Sequence, residues 1–428
     1  MAMAKSKPML LSPFLGCLTA ALVGVYWPIY LLHPSVAILG FRIAMFATCM
    51  TLCVLWWRLD VTRAERELAG ILAIVVIVAF ATSWFSINPE RALLEWLKLL
   101  IISGAAIGLC RALRHAPTAK AFSTSLIIAS GIIGALILTT YLRDMGLVAP
   151  TYEATRAFKG HAENQGISLN SIAFDCMFSY VCGMCLVRGT RKFWLLGLVL
   201  LAICSALTGS RAPLATSALS GLILLTINAL RSRRLLIWAG GALLAFAMVW
   251  GPAVAVVTLK SSEMSAFTEG RWGLWSVALQ KFAQRPLLGY GFASVDDDPI
   301  PYTVNRGGYH SEYFTLLAEQ GVLGTTAVLG LFVFLLRRCW GLAFHRSYTW
   351  QNGQWALLGC LILFLRAGVE IDGLFGIAKG PGDFLAYILV AIVVSRFSRE
   401  EDYVTANHGG YASASRALAS LSPIPPAI

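Results

Sequence analysis

Residues 307–338 read GGYHSEYFTLLAEQGVLGTTAVLGLFVFLLRR, a polar turn that leads into a long apolar helix. His310 stands where the chain passes from this turn into a run long enough to cross a bilayer. An imidazole can act as a base near neutral pH, so this junction is a candidate site. On the helix that it starts, His310 is expected to share one face with Phe314, Leu317 and Gly321. Two acidic residues of the same helix, Glu312 and Glu319, are expected to be solvated, with assistance to His310 as the alternative.

The composition places the chain in the class of polytopic membrane proteins. Of the 428 residues, 57% are hydrophobic and 13% are charged, and the mean hydropathy is +0.71. A soluble chain of this length cannot bury so much apolar surface in one core. The net charge of +12 does not indicate a nucleic-acid partner, because most Lys and Arg residues form short clusters between apolar spans.

Apolar windows of about 20 residues predict an all-α polytopic membrane protein with about twelve transmembrane helices. The predicted spans are 10–32, 35–57, 69–87, 91–113, 121–142, 168–188, 192–208, 212–230, 234–257, 311–337, 352–371 and 382–398. The first span is expected to be an uncleaved helix. We expect residues 1–398 to form a single transmembrane domain and residues 399–428 to form a disordered cytoplasmic tail.

Basic residues are concentrated in loops that fall on one side of such a bundle. They are Lys5, Lys7, Arg58, Arg63, Arg66, Arg111, Arg114, Lys120, Arg188, Arg191, Lys192, Arg231, Arg233, Arg234, Arg337, Arg338, Arg346, Arg396 and Arg399. This side is predicted to be the cytoplasm and to hold both termini. The extracytoplasmic face then holds two long loops, about residues 143–169 and 258–310, and the second lies between helices nine and ten.

The second long loop contains a predicted amphipathic helix, Arg271–Phe282. Its large apolar residues recur at three- and four-residue spacing, at Trp272, Trp275 and Leu279. We expect this helix to lie on the membrane surface or to pack on the bundle. It is expected to end at Arg285, because the residue before a proline disfavours helix, and Leu288–Phe292 is predicted to be a flexible turn.

Cationic side chains at the outer face are candidate ligands for an anion. Arg211 lies in a short turn between two spans, where it is expected to face a partly dry site. Arg271 opens the helix of the second loop, and its guanidinium suits phosphate oxygens. Lys98 follows Glu95 by three residues within a span, and we expect the two to neutralise each other. Arg156 lies in the first long loop.

Other polar groups have structural interpretations. Arg366 and Glu370 are expected to form an ion pair. Asp296–Asp298 is expected to be a solvated acidic loop, because three consecutive carboxylates cannot all converge on one cation. Cys182 and Cys185 form a CxxC within an apolar helix, which favours packing over metal or redox chemistry. No metal site or cofactor is predicted.

The motif at the opening stretch resembles one of the bacterial O-antigen ligase family. His310-Ser311-x-x-Phe314 followed by Gly321 is similar to the family's H-[N/S]-x-x-L-x(6)-G motif, with Phe314 in place of leucine. This family shares a superfamily with O-antigen polymerases and protein O-oligosaccharyltransferases.

Further stretches of the chain agree with this resemblance. Arg271 through Gly291 is similar to the family's Arg-x-x-x-Trp…Pro-Leu-x-Gly-x-Gly stretch, and Ser210-Arg211 resembles its short Ser-Arg turn. The order Arg156…Gly160…Asn170 is loosely similar to its first-loop pattern.

The resemblance implies a GT-C-like glycosyltransferase in the bacterial inner membrane, with its active site on the periplasmic face. The implied donor is an undecaprenyl-diphosphate-linked polysaccharide. The implied acceptor is a sugar of the lipid A–core oligosaccharide, in lipopolysaccharide biosynthesis. Transfer in this family is regarded as metal-independent and inverting, with membrane lipids surrounding both substrates.

Within this family reading, each candidate residue takes a role. His310 accepts the proton from the acceptor hydroxyl or only orients that hydroxyl, and both options stay open. Arg211 and Arg271 stabilise the departing diphosphate, because fixed cationic groups do so strongly in a low-dielectric site. Lys98 and Arg156 are weaker helpers.

Three alternatives to a ligase are open. A polymerase is expected to show R-x(10)-G in two outer loops, and no arginine tested for this pattern has glycine eleven positions on (Arg156, Arg211, Arg271, Arg285, Arg306). A protein O-oligosaccharyltransferase is compatible with every residue above. A transporter, with Lys98, Arg211 and Arg366 along a substrate path, does not need an outer-loop histidine.

Overall fold

The computed structural model describes residues 61–146, 169–186, 271–294, 309–344, 350–368 and 384–399, with isolated residues elsewhere. All regular structure in these ranges is helical, which confirms the predicted all-α class for the described part of the chain. The helices in these ranges are α1 (Arg63–Ser83), α2 (Pro89–Arg114), α3 (Ala116–Met145), α4 (Leu169–Met184), α5 (Arg271–Gln284), α6 (Glu312–Phe344), α7 (Trp350–Ala367) and α8 (residues 384–399).

Several of these helices are long and apolar enough to cross a membrane, namely α1, α2, α3 and α6. Shorter apolar helices are Ser171–Met184 within α4 and Gly353–Ala367 within α7. The protein is therefore a multi-pass membrane protein. The count of about twelve spans stays a prediction, because spans 10–32, 35–57, 192–208, 212–230 and 234–257 lie mostly outside the described residues, as does the tail.

The helix ends follow from local sequence. Thr62 caps α1 in a capping box, since its hydroxyl accepts from the backbone N–H of Glu65 while the Glu65 carboxylate accepts from Thr62 N–H. Asn88 caps α2 and is followed by proline in the first turn. Gly146 ends α3 with a φ of 68°, a conformation that favours glycine.

Ion pairs join α1, α2 and α6 at one end of the bundle. The buried Glu65 carboxylate lies 3.2 Å from Arg114 and 3.5 Å from Arg111. Glu67, two residues further along α1, forms an ion pair with Arg338 of α6. Glu65 and Glu67 therefore hold basic residues of separate loops together at one end of the bundle. We call this end, which contains Arg111, Arg114 and Arg338, the basic end.

The C-terminal part of α8 lies at the same basic end. Arg396 donates to the carbonyls of Cys185 and Leu186, at 3.1 Å each, and Arg399 donates to the carbonyl of Leu113. The described basic clusters therefore share one end of the molecule, as their loop positions predict. The side of the membrane that this end faces stays a prediction.

Two helices form the centre of the bundle. The described side chains of α4 are nearly all buried, and so is α8 from Phe384 to Val394. On α3, Ser123 donates to the carbonyl of Gly183 at 2.8 Å and Ser130 to that of Cys176 at 2.7 Å. By contrast, α1, α2 and α3 carry rows of exposed apolar residues, which suit contact with lipid. The reduced Cys182 and Cys185 are buried in this centre.

Candidate functional site

The Pro286–Gly291 turn, which follows α5, packs against a break in α6 at Gly321, at the end of the bundle opposite the basic end. We call this contact between the turn and α6 the clasp. At Gly321 the backbone leaves the helical conformation, with a φ of 60° and a ψ of −156°. The N–H of Val322 donates to the carbonyl of Pro286 at 2.8 Å, and the N–H of Gly291 donates to the carbonyl of Glu319 at 2.7 Å. Backbone hydrogen bonds on both sides of the break therefore hold the Pro286–Gly291 turn against α6.

Glycines of the two stretches that resemble family motifs meet where the Pro286–Gly291 turn contacts α6. A Cβ at Gly289 would lie 2.6 Å from the Gln320 nitrogen, and one at Gly321 would lie 2.5 Å from the Leu287 carbonyl carbon. Both residues also have positive φ values, of 65° and 60°. Gly291, with a φ of 106°, makes a similar approach to the α1–α2 turn at Phe85 and Ser86. Close backbone contact thus explains why glycine occupies these positions.

The break folds the start of α6 back toward α7. The Phe364 ring of α7 contacts Tyr313 at 5.6 Å and Phe332 at 4.8 Å between ring centroids, and Gly321 separates these two residues along the chain. The Tyr313 hydroxyl donates to the carbonyl of Phe364 at 2.8 Å. The segment Glu312–Gln320 therefore lies beside the C-terminal end of α7. The predicted continuous helix face from His310 to Gly321 is wrong, because the helix begins at Glu312 and breaks at Gly321.

His310 lies in a turn, Tyr309–Ser311, that two other helices hold in place. The Trp275 indole of α5 donates to the carbonyl of Tyr309 at 3.1 Å, and the Ser311 hydroxyl donates to the carbonyl of Ala367 in α7 at 3.2 Å. His310 itself has a φ of 50°, a left-handed conformation that is rare for a residue with a side chain. We call Tyr309–Ser311 the His310 turn; its anchors on either side keep this unusual backbone in place.

Helix α5 packs on the start of α6, one of the two placements that its amphipathic pattern predicts. The Trp275 and Phe314 rings stack with centroids 5.2 Å apart and an interplanar angle of 21°. Ala278, Tyr309 and Ala318 form a small buried cluster beside them. Phe314, which replaces the motif leucine, therefore provides a partner for the Trp275 ring.

Arg271 is the first residue of α5, as predicted, and α5 ends at Gln284, just before the predicted stop at Arg285. The backbone of Arg271 lies one helical turn before Trp275, on the same face of the helix. Its side chain lies outside the described residues, as do all of Arg211 and Arg156.

The acidic residues of the α6 start are buried, so the prediction that Glu312 and Glu319 are solvated is wrong. Each is 7% exposed. The fold-back at Gly321 is the cause, since it presses this segment against α7 and the Pro286–Gly291 turn. Glu319 accepts from the N–H of Ala293 at 3.3 Å. Burial, assisted by the nearby Glu319 charge, raises the pKa of the Tyr309 hydroxyl well above its ordinary value.

Lys98 and Glu95 form the predicted ion pair on α2, with 2.5 Å between Lys98 Nζ and Glu95 Oε1. The Lys98 side chain is 34% exposed and that of Glu95 is 16% exposed. The pair neutralises the lysine in this conformation, and its assistance to a diphosphate stays a prediction. Glu370 and Asp296–Asp298 lie outside the described residues.

Two features of the site are not predicted by the sequence. One is the hydrogen bond from Trp275 to the His310 turn, for which the shared Arg-x-x-x-Trp spacing was the available signal. The other is Arg366, whose guanidinium is buried against the Phe174 ring at 3.4 Å. The surrounding apolar sequence of α7 was the signal for that burial.

The comparisons with known proteins bear on this same region. Residues 196–329 match the family described as O-Antigen ligase. The matched range contains Arg211, Arg271, the Pro286–Gly291 turn and the His310 turn. No curated protein matches the chain. The members of this family are glycosyltransferase-like enzymes of the superfamily that includes the ligases, the polymerases and the oligosaccharyltransferases. The segment that holds the Pro286–Gly291 turn and His310 thus matches the O-antigen ligase family, which supports membership of the chain in that family.

Proposed function

We propose that this protein is an O-antigen ligase, which transfers a polysaccharide from undecaprenyl diphosphate to a sugar hydroxyl of the lipid A–core oligosaccharide. The observation that carries the proposal is the His310 turn, a strained backbone anchored by Trp275 and Ser311 inside the family-matched segment. Strain of this kind is retained where it serves a site. The proposed location is the periplasmic face of the inner membrane, with both termini in the cytoplasm.

The reaction forms one bond and breaks one. The acceptor oxygen attacks the anomeric carbon of the donor sugar, and the bond from that carbon to the diphosphate oxygen breaks with its electron pair. Undecaprenyl diphosphate leaves, and a single displacement inverts the anomeric configuration. His310 accepts the acceptor proton or orients the acceptor hydroxyl, a contribution of about 10²–10⁴-fold if it is the base.

The departing diphosphate gains negative charge, so the site needs fixed cationic groups. Arg211 and Arg271 are proposed for this role, with Lys98 and Arg156 as weaker contributors. The position of Arg271 supports this, since it lies one turn from Trp275, which contacts the His310 turn. A preorganised guanidinium in a dry site stabilises such charge without a metal ion.

Reconstitution of the purified protein in liposomes tests the proposal. The liposomes contain a lipid-linked glycan and a lipid A–core acceptor, and the buffer contains a chelator. We expect glycan-modified lipid A–core and free undecaprenyl diphosphate. Glycan joined to glycan instead identifies a polymerase, and glycan joined to a Ser- or Thr-containing acceptor peptide identifies a protein oligosaccharyltransferase. Transfer that disappears only with the chelator contradicts metal independence.

Substitution of His310 tests the assigned role in the same liposomes. His310→Ala removes the imidazole and is expected to lower transfer by about 10²–10⁴-fold. Helical content and insertion are measured in parallel and are expected to match the wild type. Transfer at a near-normal rate in a folded His310→Ala protein overturns the mechanism.

A further inference from the structure

The proposed mechanism assigns no role to Arg366, which is a buried cation. It is 1% exposed and lies near the C-terminal end of α7. Its guanidinium carbon lies 3.4 Å from the centre of the Phe174 ring of α4. Within the described ranges, Nε and Nη1 of Arg366 are buried and have no hydrogen-bond acceptor.

Among the described residues, no acceptor compensates these two N–H groups of Arg366. Arginine stays protonated in proteins, so it cannot escape the penalty of burial by becoming neutral. The stabilisation from one cation–π contact is smaller than the free-energy penalty for burying an unpaired ion. Buried N–H groups of a cation are satisfied when an anion supplies oxygen acceptors to them. The Arg366 site is therefore suited to an anionic ligand.

The backbone contacts of α7 place Arg366 close to the His310 turn. The next residue, Ala367, accepts the hydrogen bond from Ser311. Two residues earlier, Phe364 accepts the hydrogen bond from Tyr313. Arg366 contacts α4 through Phe174, so it lies where α4 and α7 meet, within one helical turn of both anchors of the α6 start.

We propose that Arg366 binds the diphosphate of the lipid-linked donor at the place where α4 and α7 meet. The Phe174 ring fixes the plane of the guanidinium, which directs its N–H groups at phosphate oxygens. This inference rests on the proposed function for the identity of the donor. It makes α4 and α7 part of the substrate site and adds to Arg211 and Arg271 a third cation, whose Nε and Nη1 have no acceptor among the described residues.

Ligand binding by the full-length protein tests this directly, without requiring transfer. Thermal stabilisation is titrated with nanodiscs that contain undecaprenyl diphosphate, undecaprenyl monophosphate or phosphatidylglycerol, and with soluble inorganic pyrophosphate. The proteins compared are wild type, Arg366→Gln, Arg366→Lys and the control Arg285→Gln. Arg285 also stacks on an aromatic ring, Tyr290 at 4.6 Å, but it is exposed and lies outside the proposed site.

We expect undecaprenyl diphosphate to stabilise the wild type and Arg285→Gln equally. Arg366→Gln is expected to weaken its binding at least about tenfold, which corresponds to about 1.4 kcal/mol. Arg366→Lys keeps the charge but loses the planar fork, so it is expected to bind with intermediate affinity. If Arg366→Gln does not fold, the lysine variant decides: weakened binding supports the proposal, and wild-type binding overturns it.

Other outcomes separate this inference from the proposed function. Wild-type diphosphate binding by folded Arg366→Gln overturns the role of Arg366, even if the protein transfers glycan. Arg366-dependent binding without transfer to any acceptor supports the anion site and rejects the ligase. Equal Arg366-dependent stabilisation by phosphatidylglycerol assigns the site to membrane phospholipid and overturns its assignment to the donor. Pyrophosphate binding that depends on Arg366 supports recognition of the diphosphate itself.

Discussion

Substitution of Gly321 by alanine tests whether the break in α6 positions the His310 turn. At a φ of 60° and a ψ of −156°, a residue with a side chain is strained by about 1–3 kcal/mol. A Cβ at this position lies 2.5 Å from the Leu287 carbonyl carbon and 2.6 Å from the Pro286 oxygen. Both atoms belong to the backbone, so the Pro286–Gly291 turn has to move away from α6.

The movement also breaks hydrogen bonds of the clasp. The N–H of Val322 donates to Pro286 at 2.8 Å and that of Leu323 to Leu287 at 3.3 Å, and each contributes about 1 kcal/mol. With the backbone strain, we expect a total loss of about 3–5 kcal/mol. Since misplacement of a site by 1 Å costs about 10²-fold in rate, transfer is expected to fall by about that factor.

The assay combines the melting temperature in detergent with glycan transfer in liposomes. Gly330→Ala is the matched control, because Gly330 lies on the same helix and a Cβ there meets no atom within 4 Å. We expect the control to be neutral or stabilising by up to about 1 kcal/mol, from helix propensity alone. A Gly321→Ala protein that melts and transfers like the wild type refutes the reasoning.

Two further substitutions probe the two ends of the bundle. Trp275→Phe keeps a ring beside Phe314 but removes the 3.1 Å hydrogen bond to Tyr309. It is expected to lower transfer about tenfold while costing only about 1 kcal/mol of stability; an unchanged transfer rate would show that this bond does not hold the turn. Glu65→Gln removes the buried carboxylate that pairs with Arg111 and Arg114, and is expected to destabilise the protein by about 3–5 kcal/mol. Transfer per folded molecule should stay at the wild-type level, and a decrease would contradict the separation of the basic end from the site.

Much of the fold was predictable from patterns that act locally. Apolar runs predict the existence of α1, α2, α3, α4, α6, α7 and α8, because lipid imposes continuous apolar helices. Their ends differ more, since α1 begins at Arg63 against a predicted 69 and α6 ends at Phe344 against a predicted 337. The start of α5 at Arg271 and its end before Pro286 follow from amphipathic spacing and proline chemistry. The Glu95–Lys98 pair follows from helical spacing.

The candidate site was less predictable, because it depends on contacts between distant segments. Residues 311–337 read as one uninterrupted span, yet α6 breaks at Gly321. A glycine inside an apolar helix does not disclose such a break, since the break depends on carbonyls that the Pro286–Gly291 turn supplies. The burial of Glu312 and Glu319 follows from this fold-back. The isolation of Arg366 from described acceptors likewise depends on where α4 packs.

The clasp also fixes both ends of the segment between Ala293 and Tyr309. Ala293 is bonded to Glu319 and Tyr309 packs beside Ala318, so one short segment of α6 holds the chain both before and after residues 295–308. The cost of closing a loop rises only with the logarithm of its length. We therefore expect a change of length between these two fixed points to preserve the position of His310, because the contacts that hold it lie outside the exchanged part.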